Sequence, residues 1–152
     1  MSDHSKSLNA HYGGRDLAAA ILTALRATGK ESGVLRPDDL AAIDQFHTRG
    51  KEATLELAQL AGLTSGLRVL DVGGGLGGPA RTLAAELACD VTVLDLTEDY
   101  CRVGEMLTAR TGLSQRVRFQ IGSALEIPFP AEHFDTIWTQ HSSMNIDDKA
   151  RL

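Results

Sequence analysis

The chain has 152 residues, 43% hydrophobic and 23% charged, enough for one domain with a buried core and too few for two. Fifteen Lys and Arg against twenty Asp and Glu give a net charge of −5, which excludes an extended basic face for nucleic acid or an anionic membrane. No run approaches the ~18 apolar residues of a membrane span, and the start MSDHSKSLNAHYGG has no apolar signal core, so the expected location is the cytoplasm.

Residues 1–14 read as a polar arm. RDLAAAILTALRATGK follows, with Leu17, Ile21, Ala24, Leu25 and Thr28 on one face and Gly29 as its stop, an amphipathic helix. RPDDLAAIDQFH predicts a short second helix, with proline and acids at its start where the helix dipole favours them. GKEATLELAQLAGL predicts a third, ending at Gly62. Then the period changes. LRVLDV is a short apolar run ended by glycine, the pattern of a buried strand. LGGPARTLAAELA is helical, with Pro79 tolerated in its first turn. DVTVLDL is a second strand, and TEDYCRVGEMLTARTG is a helix with Thr97 as cap and Gly112 as stop. RVRFQIG alternates as a third strand, PFPAEHFD is a loop and FDTIWTQ a fourth strand. NIDDKARL predicts a last helix capped by Asn145.

This order specifies an α/β protein: a Rossmann-like, doubly wound parallel sheet of about four strands behind an N-terminal helical segment. Residues 1–62 form the arm and a helical lid, and residues 63–152 a ligand-binding domain whose crevice lies at the carboxyl ends of the strands. Cys89 and Cys101 have no CxxC or Cys/His spacing and read as small buried thiols, so no metal site is expected.

LDVGGGLGGPAR places five glycines within six residues at the first strand-to-helix turn. Gly73, Gly75 and Gly78 satisfy GxGxxG, which admits a dinucleotide, a mononucleotide or S-adenosylmethionine. A pyrophosphate would be drawn to loop amides and the helix start. Asp71, two residues before the first glycine, opposes that charge, and no Lys or Arg stands within the run. The same carboxylate favours a sulfonium and an α-ammonium; at ~4 Å and an effective dielectric of ~20 one such contact is worth roughly 4 kcal/mol before desolvation. Asp95 ends the second strand about twenty residues on, where an acid can accept from both ribose hydroxyls, in nicotinamide enzymes as in others. Gly122 to Leu125, after the third strand, lie beside the adenine, with the Ser123 hydroxyl at the ring edge.

Together VLDVGGGLGG, VTVLDLT and GSALEIPFPAEHFDTIWTQHSSMNI resemble the class I S-adenosylmethionine-dependent methyltransferases. YGGRDLAAAIL and IDQFHTRGKEATLELAQLAGL resemble the N-terminal helices of the branch that includes sarcosine and dimethylglycine N-methyltransferases. The resemblance implies that Asp71 sits near the methionine end of the cofactor, with Gly73, Gly74 and Gly75 beneath it. It implies further that Asp95 holds the ribose, Leu96 packs on the adenine, Ser123, Ala124 and Leu125 flank the base, and Gln140 lies on the sulfonium side. Two positions depart from the family pattern. Ser123 stands where many members have aspartate, and Gly74 where cysteine or serine is common, so that glycine loosens the loop. The family sheet has seven strands, and the part after the fourth is missing here. The chain therefore reads as an N-terminal portion, with an open edge at the fourth strand suited to self-association.

Methyl transfer from sulfonium asks the protein mainly to orient and desolvate the partners, so the absence of a triad or metal cluster is expected. His141, after the fourth strand, is the candidate to touch substrate or act as base. His47 and Arg49 are candidates to close over the cofactor, with Arg49 on the methionine carboxylate. Tyr12 is a candidate lid residue, His4 and His11 read as inert, Phe129 reads as core or pocket packing, and Trp138 as core. WTQHSS in place of [DN]PPY, the net charge and the helical lead favour a small-molecule acceptor, an amine nitrogen first among them, over nucleic acid. With 5% aromatic residues there is no evident cation–π cage. The competing functions are a non-catalytic adenosyl-binding module and an NAD(P)-dependent oxidoreductase.

Overall fold

The structure, a computed structural model, describes residues 17–45 and 47–152. The arm with His4, His11 and Tyr12 lies outside the described residues.

Helix α1 (Leu17–Ala27) is alanine- and leucine-rich, the composition with the strongest helix preference, and buries Ile21 and Leu25. The second expected helix is divided. Pro37–Leu40 forms a 3-10 turn that runs into a four-residue α2 (Ala41–Asp44), and Gln45 (φ −108, ψ 64) leaves helical space while Asp44 turns inward. Helix α3 (Gly50–Leu60) buries Thr54 and Ala58. Strands and helices then alternate: β1 (Arg68–Val72), α4 (Gly78–Leu87), β2 (Asp90–Asp95), α5 (Glu98–Arg110), β3 (Val117–Ile121) and β4 (Thr136–Trp138).

The helix expected from Asn145 does not form. Ser143–Asn145 is a 3-10 turn, and Ile146 is extended (φ −106, ψ 115). The Lys149 ammonium donates to the carbonyls of Ser143 and Ile146, two acceptors that a continuing helix needs for its own amides. Thr97 does occupy the N-cap of α5, but its side chain makes no cap bond.

All four strands are parallel, in the order β3-β2-β1-β4. Asp71 pairs in register with Val93 on one side and Trp138 on the other, and Asp95 with Ile121. The chain steps outward from β1 to β3, then returns past both to lay β4 on the far side of β1. That reversal opens a crevice at the carboxyl ends of β1 and β4, where doubly wound sheets take their ligands.

Both sheet faces are covered, which is why VLDV and VTVLD are nearly continuous apolar runs. Val69, Val91, Val93, Val117 and Trp138 pack with Ala58, Ala80, Leu83 and Ala84. Leu70, Val72 and Leu94 face the opposite way, under Ala124, Phe129 and Phe134 of the β3–β4 connection. A third cluster joins Ile21, Leu25, Leu35 and Leu40 of the N-terminal segment to Leu76, Val103 and Leu107, so that segment is docked on the glycine loop and α5. A fully buried leucine contributes roughly 1.5–3 kcal/mol, enough to hold the segment there. Cys89 and Cys101 are free and buried. No described helix is long and apolar enough to cross a membrane, and no group of three or more metal-binding side chains is found among the described residues.

Candidate active site

A cavity of about 660 Å³ occupies the crevice, walled by the glycine loop, the ends of β2 and β3, the turn after β4 and the segment around residues 44–47. Each candidate named from the sequence for the cofactor or catalysis lines it: Asp71, Gly73, Gly74, Gly75, Asp95, Leu96, Ser123, Ala124, Leu125, Gln140 and His141. Ordinary sheet geometry brings them together, because all lie at or just beyond the carboxyl ends of parallel strands.

The glycine loop is held by its own amides. Gly73 N donates to Leu94 O at 2.7 Å, Gly75 N to Asp95 Oδ2 at 2.9 Å, and Gly77 N to Gly74 O at 2.9 Å. These three donors are therefore engaged within the protein. Gly73 has φ +71, and a Cβ there would fall 2.4 Å from Ser142 Cβ, so only glycine fits against the β4 turn. A Cβ on Gly74 would fall 2.5 Å from Asp71 Oδ2. Glycine at that position makes room for the aspartate, a tighter role than the loosening expected from the sequence.

Asp71 is only 1% exposed, and its Oδ2 has no hydrogen-bond partner. Burial, and then the charge of Asp95, push its pKa up to about 7. The full negative charge inferred from the sequence is thus only half developed at neutral pH until a cation arrives. Asp95 is also raised by burial, against the pull of two amides. Its Oδ2 accepts from Gly75 and its Oδ1 from Thr97 N at 2.9 Å, and each oxygen keeps a lone pair for a further donor such as a hydroxyl.

Ser123 Oγ accepts from Leu125 N at 3.1 Å, leaving the hydroxyl hydrogen to donate. Gln140 is fixed by two donors on one atom: Trp138 Nε1 and Thr54 Oγ1 each donate to Oε1 at 3.1 Å. Indole nitrogen can only donate, so the amide oxygen faces inward and the NH₂ is left to serve an acceptor. Trp138 is buried core, as its sequence position indicates, and its polar edge positions the site.

His141 follows β4 with φ +51, a left-handed conformation uncommon for a residue with a side chain. Its neighbour Ser142 donates to Val72 O at 2.9 Å and shares a 2.6 Å hydrogen bond with Thr139 Oγ1, which ties this turn to the end of β1. His47 lies opposite, 9% exposed, with its ring centroid 6.0 Å from that of His141 and tilted by 36°. Nε2 is 3.4 Å from Thr54 Oγ1, and burial holds the ring's pKa below the ordinary value against a hydrogen bond to the Thr48 backbone that raises it, with His141 adding to the lowering. Arg49 does not reach the cavity. It is exposed and pairs with Glu56 at 2.6 Å, so it is not placed for a carboxylate ligand.

Sequence reasoning missed Asp44, Tyr100, Ser142 and residues 144–147 as lining groups. Asp44 is the most consequential. Its Oδ2 is 2.6 Å from Arg81 Nη2, both side chains being buried, while its Oδ1 has no partner. Arg81 also donates to Leu76 O, Gly104 O and Thr108 Oγ1, so the pair fastens the N-terminal segment to the glycine loop and α5. Burial raises the Asp44 carboxyl while the guanidinium pulls it down. Asp44, Asp71, Asp95 and Asp147 all line the cavity, and among its described lining residues there is no lysine or arginine.

Comparison with known proteins agrees with this geometry. Residues 69–152 match a family model described as a methyltransferase domain. The chain is 41% identical over 84 residues to a probable chloroplastic tocopherol O-methyltransferase of Oryza sativa subsp. japonica, an alignment covering 55% of this chain and 23% of that protein. It is 30% identical over 109 residues to glycine/sarcosine/dimethylglycine N-methyltransferase of Actinopolyspora halophila, covering 72% of this chain and 19% of that protein. The crystal structure of Haemonchus contortus phosphoethanolamine N-methyltransferase 2 in complex with S-adenosyl-L-methionine superposes with a TM-score of 0.66 at 26% identity, over 72% of this chain and 26% of that one. The chain thus spans less than a quarter of the length of the two curated relatives named. With the family model covering more than half of its residues, the chain belongs to the S-adenosylmethionine-dependent methyltransferase family.

Proposed function

We propose that the cavity binds S-adenosylmethionine and that the protein transfers its methyl group to a small-molecule acceptor, an amine nitrogen first among the candidates. The observation that carries this reading is the charge of the lining: Asp71, Asp95 and Asp147 line the cavity beside an Asp44 that Arg81 neutralises, with no lysine or arginine among the described lining residues. Asp71 Oδ2 is buried without a partner, and a carboxylate there favours a cation over a phosphate. Three of the five loop amides that a pyrophosphate would need are already engaged within the protein. The nicotinamide alternative is disfavoured on both counts.

In this reading Gly73, Gly74, Gly75 and Asp71 hold the methionine end, and the Gln140 NH₂ serves its carboxylate. Asp95 accepts from the ribose, while Leu96, Ser123, Ala124 and Leu125 enclose the base. S-adenosylmethionine supplies an electrophilic methyl group when bound. The chain's own residues orient the acceptor, exclude water and take up its proton, with His141 the base at the mouth. The segment through residue 62 acts as the lid, carrying Asp44 and His47 to the cavity.

The acidic lining and net charge support a small molecule over nucleic acid as partner. Free buried thiols support a reducing compartment such as the cytoplasm. The outer edge of β4, unpaired among the described residues and carrying Ile137 at 60% exposure, supports pairing with a second copy, which sedimentation at two concentrations checks.

Titration calorimetry with S-adenosylmethionine and with NAD tests the reading directly. Binding of the first and not the second is expected; the reverse order of affinity sinks it. Transfer of radiolabelled methyl to a panel of amines, phenols and alcohols separates an enzyme from a non-catalytic adenosyl-binding module.

A further inference from the structure

We propose that Asp44 is a specificity-determining residue of the cavity: its carboxylate is a built-in anion that occupies, on Arg81 at the start of α4, the place where a glycine loop and helix would otherwise take a ligand phosphate. The inference deepens the reading of the cavity as a site for S-adenosylmethionine, and its geometry is that of the protein alone.

A glycine loop running into a helix is a ready anion site, because the first helical amides have no partners within the helix and the dipole is positive at that end. Here the start of α4 carries a buried cation as well. Arg81, its fourth residue, is 0% exposed and reaches back to donate to Leu76 O at 2.6 Å. What stands against both is Asp44, only 5% exposed. Its Oδ2 accepts from Arg81 Nη2 at 2.6 Å. Its Cγ lies 3.0 Å from the position of a Cβ on Gly78, and its carbonyl oxygen lies closer still, so the residue rests directly on the first residue of α4. Gly78 is not among the glycines of positive φ, so the contact with Asp44, and not a turn, is what requires a glycine there. Next along the same helix, Gln45 Nε2 donates to Thr82 Oγ1 at 3.1 Å and keeps the neighbouring residue in place.

Asp44, Leu76 and Pro79 share the wall of the cavity, so this place faces the ligand space. With Asp44 present, each Nη nitrogen of Arg81 has two acceptors: Gly104 O and Thr108 Oγ1 on one, Leu76 O and Asp44 Oδ2 on the other. A phosphate then finds neither room nor a free cation. Without the Asp44 side chain, the same place would offer an uncompensated buried guanidinium beside the first turn of a helix, a combination that draws an anion. A dinucleotide brings a pyrophosphate to this end of its loop, whereas S-adenosylmethionine has no phosphate to place. Asp95 engages an amide of the glycine loop, and Asp44 closes the start of the helix that follows.

The test titrates the whole chain with inorganic phosphate at pH 7, against chloride of equal ionic strength, and follows thermal unfolding, which a ligand of the native state shifts upward. Asp44→Ala should bind phosphate at least about tenfold more tightly than the wild type, the usual worth of a charge-assisted hydrogen bond. Asp44→Ser, whose hydroxyl still offers Arg81 an acceptor, is carried in parallel and should show the same gain in smaller measure. Adding Arg81→Met to either variant should abolish the gain. An Asp44→Ala chain that folds in phosphate and not in chloride gives the same answer as a rise in melting temperature. Equal behaviour of both variants in the two salts, phosphate binding as tight in the wild type, or a gain that survives Arg81→Met overturns the proposal. The titration contains no cofactor, so calorimetry with S-adenosylmethionine decides the broader reading separately.

Discussion

Asp71 makes cofactor binding depend on pH in a way that can be worked out in advance. Its pKa of about 7 in the empty protein, against an ordinary 3.8, leaves about half of the molecules with a neutral carboxyl at pH 7. A sulfonium or ammonium beside it favours the carboxylate and draws the pKa back toward the ordinary range. The apparent dissociation constant then rises by a factor of 1 + 10^(7 − pH): about twofold at pH 7 and about elevenfold at pH 6, with almost no penalty above pH 8. The sign for folding is the opposite. A raised carboxyl pKa contributes stability that is fully present below about pH 4 and lost as pH rises through 7, roughly 4 kcal/mol for a rise of about three pH units. The empty protein should lose this contribution between about pH 4 and 7, while the ligand stabilises it most at the alkaline end. Calorimetry at pH 7 in two buffers of different ionisation heat should show release of about half a proton per S-adenosylmethionine bound. Asp71→Asn should abolish that release, flatten the profile and weaken binding at pH 8. A dissociation constant steady within twofold from pH 6 to 8, with no buffer dependence, refutes the reasoning.

Three further outcomes are expected. Arg81→Met leaves Asp44 buried without its partner and should cost about 3–5 kcal/mol in urea unfolding, a large share of a domain's total stability, whereas Asp44→Leu combined with Arg81→Met should recover most of it. Gly74→Ala forces a Cβ against Asp71 Oδ2 and Val93 Cγ1 and should lower stability by about 1–3 kcal/mol; an unchanged melting temperature shows instead that Asp71 can turn aside. The Cys101 thiol is pushed up to about 12, chiefly by burial and then by Asp95, so a disulfide exchange reagent at pH 8 should leave it unmodified in the native chain and label it in concentrated urea.

The strands, the glycine turn and the acid after β2 were legible because each is signalled locally: an apolar run, a cluster of glycines, an aspartate at a strand end. Topology then did the assembling, since parallel strands deliver their following residues to one crevice. Residues whose role depends on distant partners were not legible. Asp44 sits in a pattern that reads as an ordinary amphipathic helix, and only the Arg81 guanidinium, thirty-seven residues on, shows that it faces inward. Ser142 gains its role from the reversal that sets β4 beside β1. Arg49 is a sequence candidate for the methionine carboxylate, yet Glu56 lies seven residues away and takes it. Asn145 caps no helix: it ends a 3-10 turn, and Lys149 takes carbonyl acceptors on which a continuing helix would depend. The pKa of Asp71 was out of reach from sequence, since it comes from burial and from Asp95, its neighbour across β1 and β2.

The glycine spacing alone does not choose between a phosphate and a sulfonium; what chooses is how the loop amides are engaged. Asp95 is the pivot. By accepting from Gly75 and Thr97 it engages one amide of the loop and that of the N-cap residue of α5, and Leu94 O and Gly74 O take two more from the loop. A loop with three of its amides already engaged has fewer donors to offer a phosphate. The same carboxylate lies close enough to Asp71 to raise its pKa, so the acid that silences the amides also keeps its neighbour partly protonated while the site is empty. Selectivity for a cation and resistance to mutual repulsion of the acids therefore have one structural origin, and it lies in the hydrogen bonds of Asp95 rather than in the glycines.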